Sequence, residues 1–103
     1  KLAEGVTTFL PTTLTVPHEN LLASAANAAA YAAARMPYAR TPGIHLEGPF
    51  INPACCGSQN PQYARKCDIA EVEEIASVFP VKQVTYAVET QGGDDFAAEC
   101  SSV

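Results

Sequence analysis

Short β-branched, apolar runs alternate along the chain with longer stretches of helical spacing. Gly5-Val6-Thr7-Thr8-Phe9-Leu10, stopped by Pro11, predicts a strand over residues 5–10. From Glu19 to Arg35 the apolar positions fall three and four apart, at Leu22, Ala26, Ala29, Ala33 and Met36, predicting a helix over 19–35 that Pro17 opens and Pro37 ends. Gly43-Ile44-His45-Leu46-Glu47, bounded by Pro42 and Gly48-Pro49, predicts a second strand over 43–47. A loop rich in turn residues then runs from Ile51 to Lys66. Asp68 as N-cap and Glu71 as its capping-box partner open a helix over 68–78, with Ile69, Val72, Ile75 and Ala76 on one face. A third strand is predicted over 83–89 and, after Gly92-Gly93, a last helix over 94–101.

The resulting order, β-α-β-α-β-α, with strands apolar on both faces, points to a parallel α/β architecture. A small doubly wound sheet and part of an eight-fold barrel both satisfy it. A full barrel takes about 250 residues, so 103 residues would supply three of its βα units. The chain opens on Lys1 and closes on Ser101-Ser102-Val103, and the expectation is an internal segment, with residues 1–103 forming part of one catalytic barrel domain.

Composition narrows the partners. A net charge of −5 without a Lys/Arg cluster argues against nucleic acid, because neutralising phosphates needs a basic face. The longest apolar stretch, Leu21 to Ala34, is mostly alanine and too short to span a bilayer, and neither a membrane partner nor a signal peptide is expected. The four cysteines, Cys55, Cys56, Cys67 and Cys100, lack the C-x-x-C or Cys/His spacing of a zinc site and read as reduced thiols of a cytoplasmic protein.

Parallel α/β proteins place their ligands beyond the carboxyl ends of the strands. Those ends carry Thr12-Thr13, Glu47 and Glu89. His45 and Glu47 share one strand face, about 7 Å apart. Glu47 has three readings: a metal ligand, a general acid/base, or a surface group at a loop start. Gly48-Pro49 behind it turns the chain away and keeps bulk from its carboxylate. Glu89 has no such context. With only two histidines, His18 and His45, a serine triad is poorly supported. Gly92-Gly93 is followed by Asp94-Asp95, which would repel a phosphate and reads as a helix-capping pair. Arg65 and Lys66 are the candidate anion-facing cations or, equally, solvated loop charges.

Gly43-Ile44-His45-Leu46-Glu47-Gly48-Pro49-Phe50 resembles the H-L-E-G-P-[FW] signature of the N-acetylglucosamine-6-phosphate deacetylases, in the amidohydrolase superfamily. Gly5 to Thr12 is similar to that family's G-V-T-x-F-L-P-T strand, Gly57-Ser58-Gln59-Asn60-Pro61 to its K-G-A-H-N-P loop, and Val84 to Glu89 to its V-T-x-A-P-E strand. The resemblance implies a TIM-like (β/α)8 metal-dependent hydrolase barrel that converts N-acetylglucosamine 6-phosphate to glucosamine 6-phosphate and acetate. It implies Glu47 as ligand of a divalent metal, zinc or iron in the complete enzyme, with His45 behind it. It also implies Ser58, Gln59 and Asn60 at the amino-sugar phosphate, and a homo-oligomer. Cys56 stands at the family's lysine position, Ser58 at its alanine, Gln59 at its histidine and Val88 at its proline. The later metal-binding histidines and the catalytic aspartate have no counterpart among the 103 residues, so the chain alone is expected to be inactive. Two other readings are a non-catalytic α/β binding or assembly module derived from the barrel, and a glycosidase-like pair formed by Glu47 and Glu89.

Overall fold

The computed structural model describes residues 1–34 and 37–103; Arg35 and Met36, placed by the helical spacing at the end of the first helix, lie outside the described residues. Strand β1 (Ile44–Glu47) pairs in parallel with strand β2 (Val81–Thr85). Parallel neighbours need a crossover, and helix α2 (Ile69–Val78) provides it. Helix α1 (His18–Ala33) precedes β1 and helix α3 (Gly93–Cys100) follows β2. The arrangement is α/β around a small parallel sheet. Among the described residues no helix is long and apolar enough to cross a membrane.

Where a strand is predicted over 5–10, the structure has an extended segment that forms two isolated bridges, at β1 and at its approach, among the described residues. Thr8 bridges Arg40 and Thr12 bridges His45, both in parallel sense. Pro11 and Pro42 lie between these bridges and carry no N–H, so the ladder cannot run continuously. Four backbone bonds remain, among them His45 N–H to Pro11 C=O at 3.0 Å and Thr13 N–H to His45 C=O at 3.0 Å. The segment still lies along the edge of β1 opposite β2.

Strand β2 begins and ends earlier than the predicted 83–89. A register irregularity beside Ile44 and His45 takes one extra residue into β2, a bulge that shifts the alternation and leaves both Val81 and Val84 packed on the core. Gly43 sits opposite: a side chain there would meet the Pro80 carbonyl at 2.5 Å. Beyond Thr85 the chain leaves the sheet, because the Ala87 N–H donates to the Phe50 carbonyl at 2.8 Å and a turn follows.

All three helices contribute to one core with Ile44 and Leu46 of β1. Helix α1 buries Leu21, Ala25 and Ala28, one residue out of step with the predicted Leu22, Ala26, Ala29 stripe. Phe96 of α3 is fully buried and meets Phe50 and Tyr86 edge-on at centroid distances of 5.1 and 5.0 Å. At the start of α2 the Asp68 carboxylate accepts from the Ala70 N–H at 3.0 Å, whereas Glu71 is drawn away from its capping role by Arg65 and His18. Gly92, at φ +84°, precedes α3, so Asp94 and Asp95 lie inside its first turn instead of capping it; there they favour the helix dipole. The radius of gyration is 14.3 Å, with extents of 42 × 29 × 23 Å, above the about 13 Å of a compact domain this long. The helices cover the Ile44/Leu46 face of β1, and the His45/Glu47 face is only partly covered.

Candidate active site

The alternation of β1 sends Ile44 and Leu46 into the core and His45 and Glu47 to the other face. On that face His45 is the hub. Its Nδ1 lies 3.2 Å from Thr12 Oγ1, and its Nε2 lies 2.8 Å from Thr85 Oγ1 and 3.4 Å from Glu47 Oε2. Three neighbouring strand segments thus converge on one imidazole. The ring is about 15% exposed and the Glu47 side chain 37%, so the carboxylate is held from behind and open in front.

Gly48 lets the chain leave this carboxylate sharply. Its φ is +81°, and a Cβ there would fall 2.2 Å from Thr15 Oγ1, a position only glycine tolerates. Thr15 is buried, and its hydroxyl is a buried polar atom without a hydrogen-bond partner among the described residues. Its backbone N–H donates to Gln59 Oε1 at 2.6 Å, while Gln59 Nε2 donates to the Glu47 carbonyl at 3.4 Å. Gln59 therefore joins the loop to the backbone of the strand-end carboxylate.

Ser58, Gln59 and Asn60 line one cleft of about 330 Å³ together with Leu14, Thr15, Val16 and Tyr63. Asn60 also caps the short 3-10 turn Pro61–Tyr63, its Oδ1 accepting from the Gln62 N–H at 3.0 Å, and Asn52 caps Pro53–Cys55 in the same way. These two caps give order to a long loop. The Cys56 thiol donates to the Gln59 carbonyl at 3.3 Å, and all four cysteines are free.

Glu89 lies past the end of β2 and accepts from Asn52 Nδ2 at 3.3 Å. It lines a separate cleft with Ile51, Arg65, Lys66 and Gln91, while the Glu47 carboxylate faces His45. Arg65 is no anion receptor. Its guanidinium donates to both oxygens of Glu71, to the Val16 carbonyl at 3.1 Å and to the Tyr63 carbonyl at 2.7 Å. Burial opposes the Glu71 charge, but Arg65 and then His18 outweigh it and hold that carboxyl below its usual range.

Thr85, Thr15 and Tyr63 carry no role in the sequence reading. For Thr85 the signal lies in the alternation from Gln83, which puts it on the His45 side; nothing in the local pattern marks Thr15 or Tyr63. Among the described residues no three of His, Cys, Asp and Glu gather where they could hold a metal ion. Glu47, open on one side, fits a divalent cation as a single oxygen donor and no more.

The chain matches no protein-family model. It is 41% identical over 69 residues to N-acetylglucosamine-6-phosphate deacetylase of Bacillus subtilis (strain 168), an alignment covering 64% of this chain and 17% of that protein. It is 33% identical over 94 residues to N-acetylgalactosamine-6-phosphate deacetylase of Escherichia coli O157:H7, covering 89% of this chain and 25% of that one. The fold superposes with a TM-score of 0.80 and 28% identity on a mutant N-acetyl-D-glucosamine-6-phosphate deacetylase from Mycobacterium smegmatis in complex with N-acetyl-D-glucosamine-6-phosphate. The crystal structure of the enzyme from the same organism gives 0.79, and each superposition covers 93% of this chain and 25% of the other. In sequence and in fold the chain is similar to N-acetylglucosamine- and N-acetylgalactosamine-6-phosphate deacetylases, spanning a quarter or less of the length of the relatives it matches.

Proposed function

We propose that the chain is three consecutive βα units of a TIM-like (β/α)8 barrel enzyme that hydrolyses the N-acetyl group of an amino-sugar 6-phosphate, releasing acetate. The observation that carries this reading is the Gln59 bridge. One side chain ties the Glu47 carbonyl to the Thr15 amide, so the carboxylate and the Ser58-Gln59-Asn60 cleft are built as one unit. In this reading Glu47 is one ligand of a divalent metal, zinc or iron, whose remaining ligands come from residues the 103 do not include. Such a metal, when bound, acidifies a water and polarises the amide carbonyl. His45 contributes by orientation: anchored between Thr12 and Thr85, it fixes the carboxylate from behind. Ser58 and Asn60 offer hydroxyl and amide groups to the sugar, and Tyr63 offers an aromatic wall.

The substrate belongs to the class of N-acetyl amino-sugar 6-phosphates. The named relatives act on both the gluco and the galacto sugar, so the class covers both epimers. The isolated chain is inactive in this reading, because one carboxylate does not hold a catalytic metal tightly. A chimera tests it: this chain replaces the corresponding quarter of the Mycobacterium smegmatis enzyme, and acetate release from N-acetylglucosamine 6-phosphate is measured. The chimera is expected to turn over, and Glu47→Gln within it to lose activity about 100-fold or more. A folded chimera that releases no acetate, or a Glu47→Gln chimera as active as its parent, overturns the assignment.

A further inference from the structure

One cluster of ionisable groups lies outside the carboxylate site. His18, the first residue of α1, presents both ring nitrogens to α2: Nδ1 lies 3.0 Å from Glu71 Oε1 and Nε2 lies 2.8 Å from Glu74 Oε2. A neutral imidazole carries one N–H. Ionised carboxylates only accept, so both contacts are hydrogen bonds only when the ring carries two protons. The same Glu71 holds Arg65, whose Nη1 donates to the carbonyls of Val16 and Tyr63, and those two residues form one wall of the Ser58-Gln59-Asn60 cleft.

We propose that His18 is a pH-gated positioning residue, whose doubly protonated ring locks α1 to α2 and, through Glu71 and Arg65, sets the Val16–Tyr63 wall of the cleft. The groups facing it are balanced as follows. Glu71 and Glu74 on α2 favour the charged ring, and exposed Glu19 is its neighbour on α1. Arg65, bound to the same Glu71, and the positive end of α1 oppose it. When the proton leaves, the ring keeps one N–H and no charge, so one of the two hydrogen bonds is lost and the attraction to both carboxylates, Glu71 beside Arg65 included, is weakened. Burial works against the charged ring, but the two carboxylates prevail and raise its pKa above 6.5. The functional meaning of the device rests on the reading of this cleft as a sugar site; the clamp itself does not.

The test follows the His18 ring proton of the full chain by NMR from about pH 5 to 9, with hydrogen exchange at the Thr15 amide corrected for intrinsic base catalysis. The expected results are an inflection above 6.5, a return toward 6.5 in Glu74→Gln, and Thr15 protection that falls roughly threefold or more across the inflection but hardly changes in His18→Gln. An inflection at or below 6.5, or the same fall in His18→Gln, overturns the proposal. A change of KM for N-acetylglucosamine 6-phosphate across the same pH range in the chimera is a separate readout. Its failure counts against the sugar reading and leaves the clamp result standing.

Discussion

The exit from Glu47 gives a sharp stability prediction. In Gly48→Ala the new methyl meets two separate obstacles. The backbone is at φ +81°, which costs an L-residue roughly 1–2 kcal/mol. The added Cβ also falls 2.2 Å from Thr15 Oγ1, whereas Thr15 Cβ at 3.4 Å and Ile51 Cγ2 at 3.7 Å stay in ordinary contact. Relieving that overlap means moving a buried residue whose N–H is tied to Gln59, a repacking cost of about 1–3 kcal/mol. The sum is ~2–5 kcal/mol, a large share of the 5–15 kcal/mol or so typical of a domain. Thr15→Ala removes the obstructing oxygen. That oxygen has no hydrogen-bond partner among the described residues, so the single change loses only a methyl group's packing, ~1 kcal/mol. The double variant should recover the overlap part and keep the backbone part, giving a coupling of about 1–3 kcal/mol. Urea unfolding of the four proteins, with m unchanged, measures it. Gly48→Ala within about 0.5 kcal/mol of the parent, or additive single changes, would refute the account of why glycine follows Glu47.

Phe96→Ala empties a site packed by two edge-on aromatic rings and should cost about 3–5 kcal/mol in the same assay. Stability should be highest between the ordinary carboxyl and imidazole ranges. The lowered Glu71 carboxyl contributes fully above 4.5 and loses its contribution as the pH falls through its folded value; the raised His18 ring contributes fully below 6.5 and loses it as the pH rises through its own. Thermal melts across pH 3–9 check both limbs, and Arg65→Ala should flatten the acid limb. The outer edge of β2 pairs with no strand among the described residues, and such edges favour association; sedimentation should show a concentration-dependent oligomer that Gln83→Lys, at an exposed position of that strand, weakens.

The placement of His45 and Glu47 was legible because a period of two holds even in a four-residue strand. Other features needed information that a local pattern does not contain. In α1 alanine occupies 25, 26, 28 and 29 alike, so two adjacent stripes are equally apolar, and only the burial of Leu21 over Leu22 decides between them. The first predicted strand has the right composition, but its pairing depends on N–H groups that Pro11 and Pro42 lack, on two segments far apart in sequence. Arg65 reads locally as a loop cation. Its partners Val16, Tyr63 and Glu71 come from three separate segments, and only the tertiary fold reveals that four of its five donors are already in use. Gln59 likewise reads as a side chain facing ligand, while the fold also uses its amide to join two backbones.

These differences bear on what the strand-end carboxylate can do. Orientation and exclusion of water are separate requirements of a catalytic site, since electrostatic interactions strengthen only where solvent is removed. The chain meets the first. Thr12, Thr85 and His45 leave Glu47 one supported direction, and Gly48 and Gln59 fix the backbone behind it. It does not meet the second. A carboxylate 37% exposed on a sheet face whose helices all pack on the opposite side interacts with a cation at a dielectric close to that of water, where one ion pair at contact gives about 1 kcal/mol. Enclosing this face with further strands would both add donors and lower the dielectric. On the proposed reading of Glu47 as a metal ligand, the same geometry would then make it part of a tight site, which is why the chimera, rather than added metal alone, is the discriminating experiment.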